Sequence, residues 1–178
     1  MEEKKYSGEQ RRNLILQWLK EANKPMTGSE LAKKTQVSRQ VIVQDISLLK
    51  AKTEPILATS QGYLFLSKNK EESLYQRVIA CAHSPQQTSE ELYIIVDQGV
   101  TVKDVRIEHP VYGDLTASIM VSNRREVDQF MEKIQQTNAA FLSELTDGIH
   151  LHTLEADTTD KLDVAETALK SIGILINP

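Results

Sequence analysis

With 178 residues, the chain is long enough for two small domains, and its 40% hydrophobic and 26% charged residues are typical of globular proteins. The single cysteine, Cys81, excludes an internal disulfide. The N-terminal sequence MEEKKYSGEQ has no apolar signal segment, and no apolar run approaches the roughly 18 residues of a membrane span. We therefore expect a cytoplasmic protein without membrane partners.

The net charge of -4 is unevenly distributed along the chain. Residues 1–68 contain 12 Lys and Arg against 7 Asp and Glu, whereas residues 69–178 contain 9 against 18. Such asymmetry is typical of a basic DNA-facing module joined to an acidic partner domain, although chance surface composition can also produce it. We predict a DNA-binding domain over residues 1–68 and a regulatory domain over residues 69–178.

Three helices are predicted in the basic part. The first extends from Gln10 to Ala22, where apolar residues recur on one stripe. Thr27 and Glu30 have the spacing of a capping box for a short second helix, and Ser38 can cap a third helix that ends near Lys50. Because the third helix has its polar residues at its N-terminal end, the last two helices indicate a helix-turn-helix.

Two short alternating segments follow, over residues 55–59 and 63–66. They flank Ser60-Gln61-Gly62, where glycine permits the positive dihedral angle of a tight hairpin. We interpret this hairpin as a wing. The segment from Gln10 to Leu66 resembles the winged helix-turn-helix of bacterial metabolite-responsive repressors.

Polar side chains of the third helix and the wing are candidates for DNA contact: Ser38, Arg39, Gln40, Gln44, Lys52, Gln61 and Tyr63. Arg39 suits bidentate bonding to guanine, and Gln40 or Gln44 suits adenine. Ser38 is expected to cap the helix and touch phosphate, and the residues near the wing to meet the backbone or the minor groove. The alternative for each residue is an ordinary solvated side chain.

The acidic part is predicted to be an α+β sandwich with the order βαββαβα. Its first strand, over residues 76–83, contains the run VIACA, which is typical of a buried strand but is also compatible with a short helix. The next helix covers residues 87–98 and is capped by Ser84 or Thr88. The remaining elements are strands over 100–108 and 114–121, a helix over 124–137, a strand over 148–155 and a helix over 158–170.

All four histidines, His83, His109, His150 and His152, lie in this acidic part. On a strand, residues two apart point to the same face, so His150 and His152 can converge on one cation. By itself, a His-x-His pair is more often exposed or hydrogen-bonded. The sequence has no Gly-rich phosphate loop, Cys-x-x-Cys pair or serine elbow, and we therefore expect no enzyme.

Three segments, AHSPQQTSEELYIIVDQG, HPVYGDLTA and DGIHLHTLEA, resemble motifs of the 3H domain. This domain follows a winged helix-turn-helix in niacin-responsive repressors of NAD biosynthesis and niacin uptake, and the resemblance extends over nearly the whole chain. It implies a homodimer that binds operator DNA with nicotinic acid as corepressor.

The same resemblance implies a divalent metal bound by His83, Glu91, His150 and His152. Glu90 stays an alternative to Glu91, since sequence alone does not show which carboxylate faces inward. Three imidazoles and one carboxylate suit zinc, nickel or iron better than magnesium or calcium, which prefer oxygen ligands.

Four further residues are candidates for the ligand pocket. His109, at the HPVYG turn, can meet the ligand, bond a metal-bound group or fix the turn. Tyr112, Arg106 and Arg124 are candidates for the ligand carboxylate, and the alternative for the arginines is solvation. Two other functions are open: a metal-responsive repressor without an organic effector, and a metal-dependent enzyme acting on a pyridine compound, for which no clear base is present.

Overall fold

A computed structural model describes residues 6–66 and 74–176. The chain divides into two compact units, Met1–Lys70 and Glu71–Pro178. The boundary predicted at Lys68 lies outside the described residues.

The first unit contains the predicted helices and hairpin: α1 (Gly8–Glu21), α2 (Gly28–Thr35), α3 (Arg39–Ala51), β1 (Ile56–Thr59) and β2 (Gly62–Phe65). Helix α1 begins before Gln10 because Ser7 and Gln10 form a capping box that the apolar pattern did not reveal. The predicted capping box of Thr27 and Glu30 is confirmed, and the Ser38 hydroxyl accepts a hydrogen bond from the Val41 amide.

A small apolar core joins the three helices to the hairpin: Ile15, Leu19, Leu31, Ile42, Ile46, Leu49 and Ile56. Leu48, also on α3, is 43% exposed. The wing closely approaches the segment that precedes α2, because a Cβ atom on Gly62 would lie 2.5 Å from the Met26 carbonyl oxygen. Two backbone hydrogen bonds between Met26 and Tyr63 hold it there.

Over its described residues, 74–176, the second unit contains four strands and three α-helices: β3 (Tyr75–Ala82), α4 (Thr88–Asp97), β4 (Thr101–His109), β5 (Gly113–Ala117), α5 (Arg124–Thr137), β6 (Ile149–Ala156) and α6 (Thr159–Ser171). The strands form one antiparallel sheet with the order β3-β6-β4-β5. The predicted α+β class is thereby confirmed.

One face of the central strand β6 is buried. Burial alternates along β6, so that His150, His152 and Leu154 point to the same buried side. Helices α4 and α6 pack against this buried side, where they contact each other, and α6 also contacts β3 and β6. None of the helices in the described ranges is both long and apolar enough to cross a bilayer.

Two predictions about local structure were wrong. Strand β5 ends at Ala117 rather than at Val121, because Met120 has a positive φ of 51° and Val121 pairs with Val102 only as an isolated bridge. Helix α4 begins at Thr88 without a side-chain cap from either Ser84 or Thr88, since a 3₁₀ turn over Pro85–Gln87 leads directly into it.

Candidate functional site

Two neighbouring strands and one helix of the second unit form a buried polar cluster. In the antiparallel register Cys81 lies opposite His150, and His83 follows two residues later on the same side of the chain. His152 lies two residues beyond His150 on β6. Glu91, on the first turn of α4, is 0% exposed and faces the three imidazoles, whereas Glu90 is exposed to solvent.

The three imidazole rings turn their Nε2 atoms towards the Glu91 carboxylate. The Nε2 atom of His83 lies 2.7 Å from Glu91 Oε2, and that of His152 lies 3.4 Å from the same oxygen. The Nε2 atom of His150 lies 3.4 Å from Oε1. The structure thus brings together the four residues predicted as metal ligands.

Backbone carbonyls fix the tautomer of each ring. The Nδ1 atoms donate to the carbonyl oxygens of Ser84 at 2.8 Å, Gly148 at 2.9 Å and Asp104 at 2.6 Å. A carbonyl only accepts hydrogen bonds, so Nδ1 carries a proton and the Nε2 lone pair of a neutral ring faces the carboxylate. This is the orientation in which histidine binds metals in proteins.

The charges of the cluster depend on one another. Burial raises the pKa of Glu91, but the charge of His152 and the close approach of the three histidine rings outweigh it and lower that pKa well below its usual range. Burial lowers the pKa values of His83 and His152, and the Glu91 carboxylate outweighs it and raises both. Without a metal, Glu91 is therefore an anion stabilised by protons on His83 and His152.

One oxygen of this carboxylate is left without a hydrogen bond. Oε1 of Glu91 is buried and has no hydrogen-bond partner within the described ranges. A divalent cation would satisfy this oxygen and the three Nε2 lone pairs together, because one carboxylate and three imidazoles are a donor set of transition metals. The residues present therefore fit such an ion.

Cys81 is a member of the cluster that sequence reasoning missed. One ligand atom each of Cys81, Glu91 and His150 lie within 4.8 Å of one another. Burial, together with the nearby Glu91 charge, raises the pKa of Cys81 and keeps it a thiol. Strand alternation was the available signal, because Cys81 and His83 share one side of the chain.

A cavity of about 230 Å³ opens beside the cluster. His83, Glu91, His150 and His152 line part of it, and apolar side chains, including those of Phe130 and Phe141, line most of the rest. These two aromatic rings meet edge to face with centroids 6.4 Å apart. The site thus combines a polar cluster with an apolar chamber, as small-molecule sites commonly do.

The structure does not bring the four predicted ligand contacts to this cavity. Nδ1 of His109 accepts hydrogen bonds from the amides of Val111 and Tyr112 and so fixes the turn. Arg106 lies on the other face of the sheet, because its neighbour Val105 is the residue paired with His152.

The other two candidates are at the surface. Arg124 forms an ion pair with Asp97 and stacks over Tyr93, and Tyr112 is 75% exposed. A ligand role for these four residues finds no support in the cavity geometry.

Most of the predicted DNA contacts of the first unit are exposed. Ser38, Arg39, Gln40 and Gln44, at the N-terminal end of α3, are exposed, as is Lys52 after its C-terminal end. Gln61 and Tyr63 of the wing are half-buried, and Tyr63 packs against the core. Arg39 of α3 and Tyr63 of the wing both lie close to Gly28, since a Cβ atom on Gly28 would lie 3.4 Å from Arg39 Nε and 3.6 Å from Tyr63 Cε2.

The fold and the cluster together define a class of protein: a regulator in which a helix-turn-helix unit precedes a unit with a histidine-lined pocket. The HTH domain family matches residues 11–64, and the 3H domain family matches residues 76–178. The transcription repressor NadR of Bacillus subtilis (strain 168) is 60% identical over 176 residues, which cover 98% of each chain. The probable transcription repressor NiaR of Thermotoga maritima is 38% identical over 168 residues, 94% of each chain. The chain therefore belongs to the 3H-domain family of transcription repressors, and the resemblance found in the sequence is confirmed.

Proposed function

We propose that the protein represses genes of NAD biosynthesis and niacin uptake, with nicotinic acid as corepressor and a divalent transition metal in the His83, Glu91, His150 and His152 cluster. The names of the two relatives support a repressor linked to NAD and niacin. The observation that carries the proposal is the convergence of three Nε2 atoms on a fully buried carboxylate beside an apolar cavity. We also propose that the protein is cytoplasmic, because a repressor acts where the DNA is.

The size of the cavity supports a single-ring effector. An apolar cavity of roughly 150 Å³ accommodates benzene in an engineered protein. The present cavity of about 230 Å³ therefore has room for one ring with a small substituent and is too small for a dinucleotide. A bound zinc, nickel or iron ion would supply a Lewis-acidic position for the lone pair of a pyridine nitrogen.

The protein's own residues have defined tasks in this proposal. The Ser84, Gly148 and Asp104 carbonyls hold the three rings with Nε2 inward. Glu91 supplies a negative charge that offsets the desolvation cost of burying a cation. The apolar walls of the cavity exclude water from the ligand ring.

DNA binding is assigned to the exposed end of α3 and to the wing. A homodimer would place its two copies of α3, the recognition helices of this proposal, about 34 Å apart, one turn of DNA. If nicotinic acid binds the DNA-competent arrangement more tightly, operator affinity rises by the same factor, since the coupling is reciprocal.

The test is a fluorescence-anisotropy titration of nickel-loaded protein with an operator selected from a random DNA library in the presence of nicotinate. We expect saturating nicotinate to raise operator affinity in the wild type and in Glu90→Gln, a matched control at an exposed carboxylate. In Glu91→Gln the nicotinate effect should disappear. Equal operator affinity with and without nicotinate in the wild type would contradict the proposal.

A metal-responsive repressor without an organic effector is a second candidate. The observation in its favour is that three imidazoles and one carboxylate are enough for the closed tetrahedral shell of a structural zinc site. Calorimetry distinguishes the two functions, because only the niacin-responsive repressor gives further heat when nicotinate is added to metal-loaded protein. Dimerisation is tested separately by sedimentation equilibrium.

A further inference from the structure

The Thr88 hydroxyl is a buried polar group that the metal cluster does not use. Thr88 is 8% exposed, it lines the cavity, and its Oγ1 atom has no hydrogen-bond partner among the residues that the structure describes. Buried hydroxyl groups in folded proteins almost always have a partner, because burial without one is costly. An orphaned hydroxyl on a cavity wall therefore points to a partner inside the cavity.

The local backbone explains why this hydroxyl stays free. A helical threonine usually donates to the carbonyl four residues earlier, as Thr35 does to Leu31 at 2.6 Å. For Thr88 that carbonyl is Ser84 O, which already accepts from His83 Nδ1 at 2.8 Å and from the Gln87 amide at 3.0 Å. The carbonyl three residues earlier, on Pro85, accepts from the Thr88 amide. The bond that fixes the His83 ring thus leaves the threonine hydroxyl available.

Thr88 is also placed at a suitable distance from the histidine cluster. It precedes Glu91 by three residues on α4, and residues at this spacing share a helix face with Cβ atoms about 5 to 6 Å apart. This separation is comparable with the span of a substituted six-membered ring. One ring can therefore direct a nitrogen to the cluster and a substituent to Thr88, while Phe130, Phe141 and Leu92 contact its apolar parts.

We propose that the Thr88 hydroxyl donates a hydrogen bond to the carboxylate of a pyridine carboxylate bound in the cavity, and that it is thereby a specificity-determining residue. This inference rests on the proposed function, because it takes nicotinic acid as the effector. A hydroxyl bond to a charged carboxylate is stronger than one to a neutral acceptor. Thr88 therefore favours nicotinate over nicotinamide, and both over a ring without a polar substituent.

The experiment compares wild type, Thr88→Val and Thr88→Ser as nickel-loaded full-length proteins, with nicotinate, nicotinamide and 3-methylpyridine as calorimetric ligands. Valine has the shape of threonine without the hydroxyl, and serine keeps the hydroxyl. We expect T88V to weaken nicotinate binding by about 10- to 100-fold and to leave 3-methylpyridine binding unchanged. T88S should stay within roughly threefold of the wild type.

A second measurement separates a ligand contact from a structural role. Because Oγ1 has no partner within the described ranges, the ligand-free T88V protein should be at least as stable as the wild type in urea. Lower stability of ligand-free T88V, or an equal loss of nicotinate and 3-methylpyridine, would overturn the inference. Wild-type nicotinate affinity in T88V would overturn it while leaving the proposed function intact, whereas a wild type that binds no nicotinate would remove both.

Discussion

Nε of Arg11 lies 2.5 Å from Oδ2 of Asp45 and thereby ties α1 to the buried side of α3. Arg12 adds a second contact, with its Nη1 atom 3.4 Å from Asp45 Oδ1. The Asp45 side chain is only 2% exposed, whereas those of Arg11 and Arg12 are 13% and 22% exposed. The orientation of the recognition helix therefore depends on a buried carboxylate held by two partly solvated guanidinium groups.

Replacing Asp45 with alanine should destabilise the first unit by about 3 kcal/mol, the lower end of the range for breaking a buried ion pair. The lower end applies because both arginines can reach water once the carboxylate is gone. Urea unfolding followed by far-UV circular dichroism measures the change. Glu21→Ala, at an exposed carboxylate of α1, is the control and should change stability by less than about 0.5 kcal/mol. Equal effects of the two substitutions would contradict this interpretation.

Glu30 gives the capping box of α2 a pH dependence. Hydrogen bonds from the Thr27 backbone, then from its side chain, lower the pKa of Glu30 from its ordinary 4.5. Since the folded pKa is below the unfolded one, the stabilisation is complete above pH 4.5 and is lost as pH falls through the lowered value. NMR titration of the carboxyl carbon should show the lowered pKa, and Thr27→Val should move it back towards 4.5. A Glu30 pKa that is the same in both proteins would refute this account.

The sequence predicted some features of the site and could not predict others. Strand periodicity was enough to place His150 and His152 on one face, because alternation does not depend on the partner strand. Choosing Glu91 over Glu90 needed the phase of α4, which the 3₁₀ turn at Pro85–Gln87 sets.

The sequence also could not show that the four predicted ligand contacts lie outside the cavity. Arg106 was assigned to the pocket without knowledge of the strand register, and a register shift between Val102 and Asp104 precedes it on β4. The face of the sheet on which Arg106 lies depends on this register shift, and the alternation of apolar residues in the sequence does not reveal such a shift. Residues of α5 and of the 3₁₀ turn Leu142–Thr146 also line the cavity. Their position there depends on tertiary packing, which a local sequence pattern does not show.

The two kinds of predicted DNA contact should respond differently to salt. Arg39→Ala is expected to weaken operator binding by about 1 to 3 kcal/mol and to relax specificity at one base pair, as loss of a bidentate base contact does. Lys52→Ala should instead reduce the slope of log affinity against log salt by about one and weaken all sequences alike. Filter binding at several salt concentrations measures both. Lys161→Ala, which removes the same charge from α6, is the control, and a matching change in its salt slope would contradict the assignment.

Cys81 should be inert in the folded protein. It is 0% exposed, and burial together with the Glu91 charge raises its pKa, so that little thiolate is present. Iodoacetamide at pH 8 should label it only after unfolding in urea, as measured by intact-protein mass spectrometry. Rapid labelling of the folded protein would show that the cluster is open to solvent.

Metal binding should stabilise the second unit through the histidine cluster. An ion that binds only the folded state stabilises it by about 2.7 kcal/mol at a free concentration 100 times its Kd. Nickel should therefore raise the thermal midpoint of the wild type, and a chelator should reverse the change.

His150→Ala should remove the response, because its Nε2 atom lies 3.4 Å from the Glu91 oxygen that has no hydrogen bond. His109→Ala is the matched control, since that imidazole caps a surface turn, and it should keep the full nickel response. A nickel response that survives in His150→Ala but disappears in His109→Ala would place the ion at the turn and contradict the assignment to the cluster.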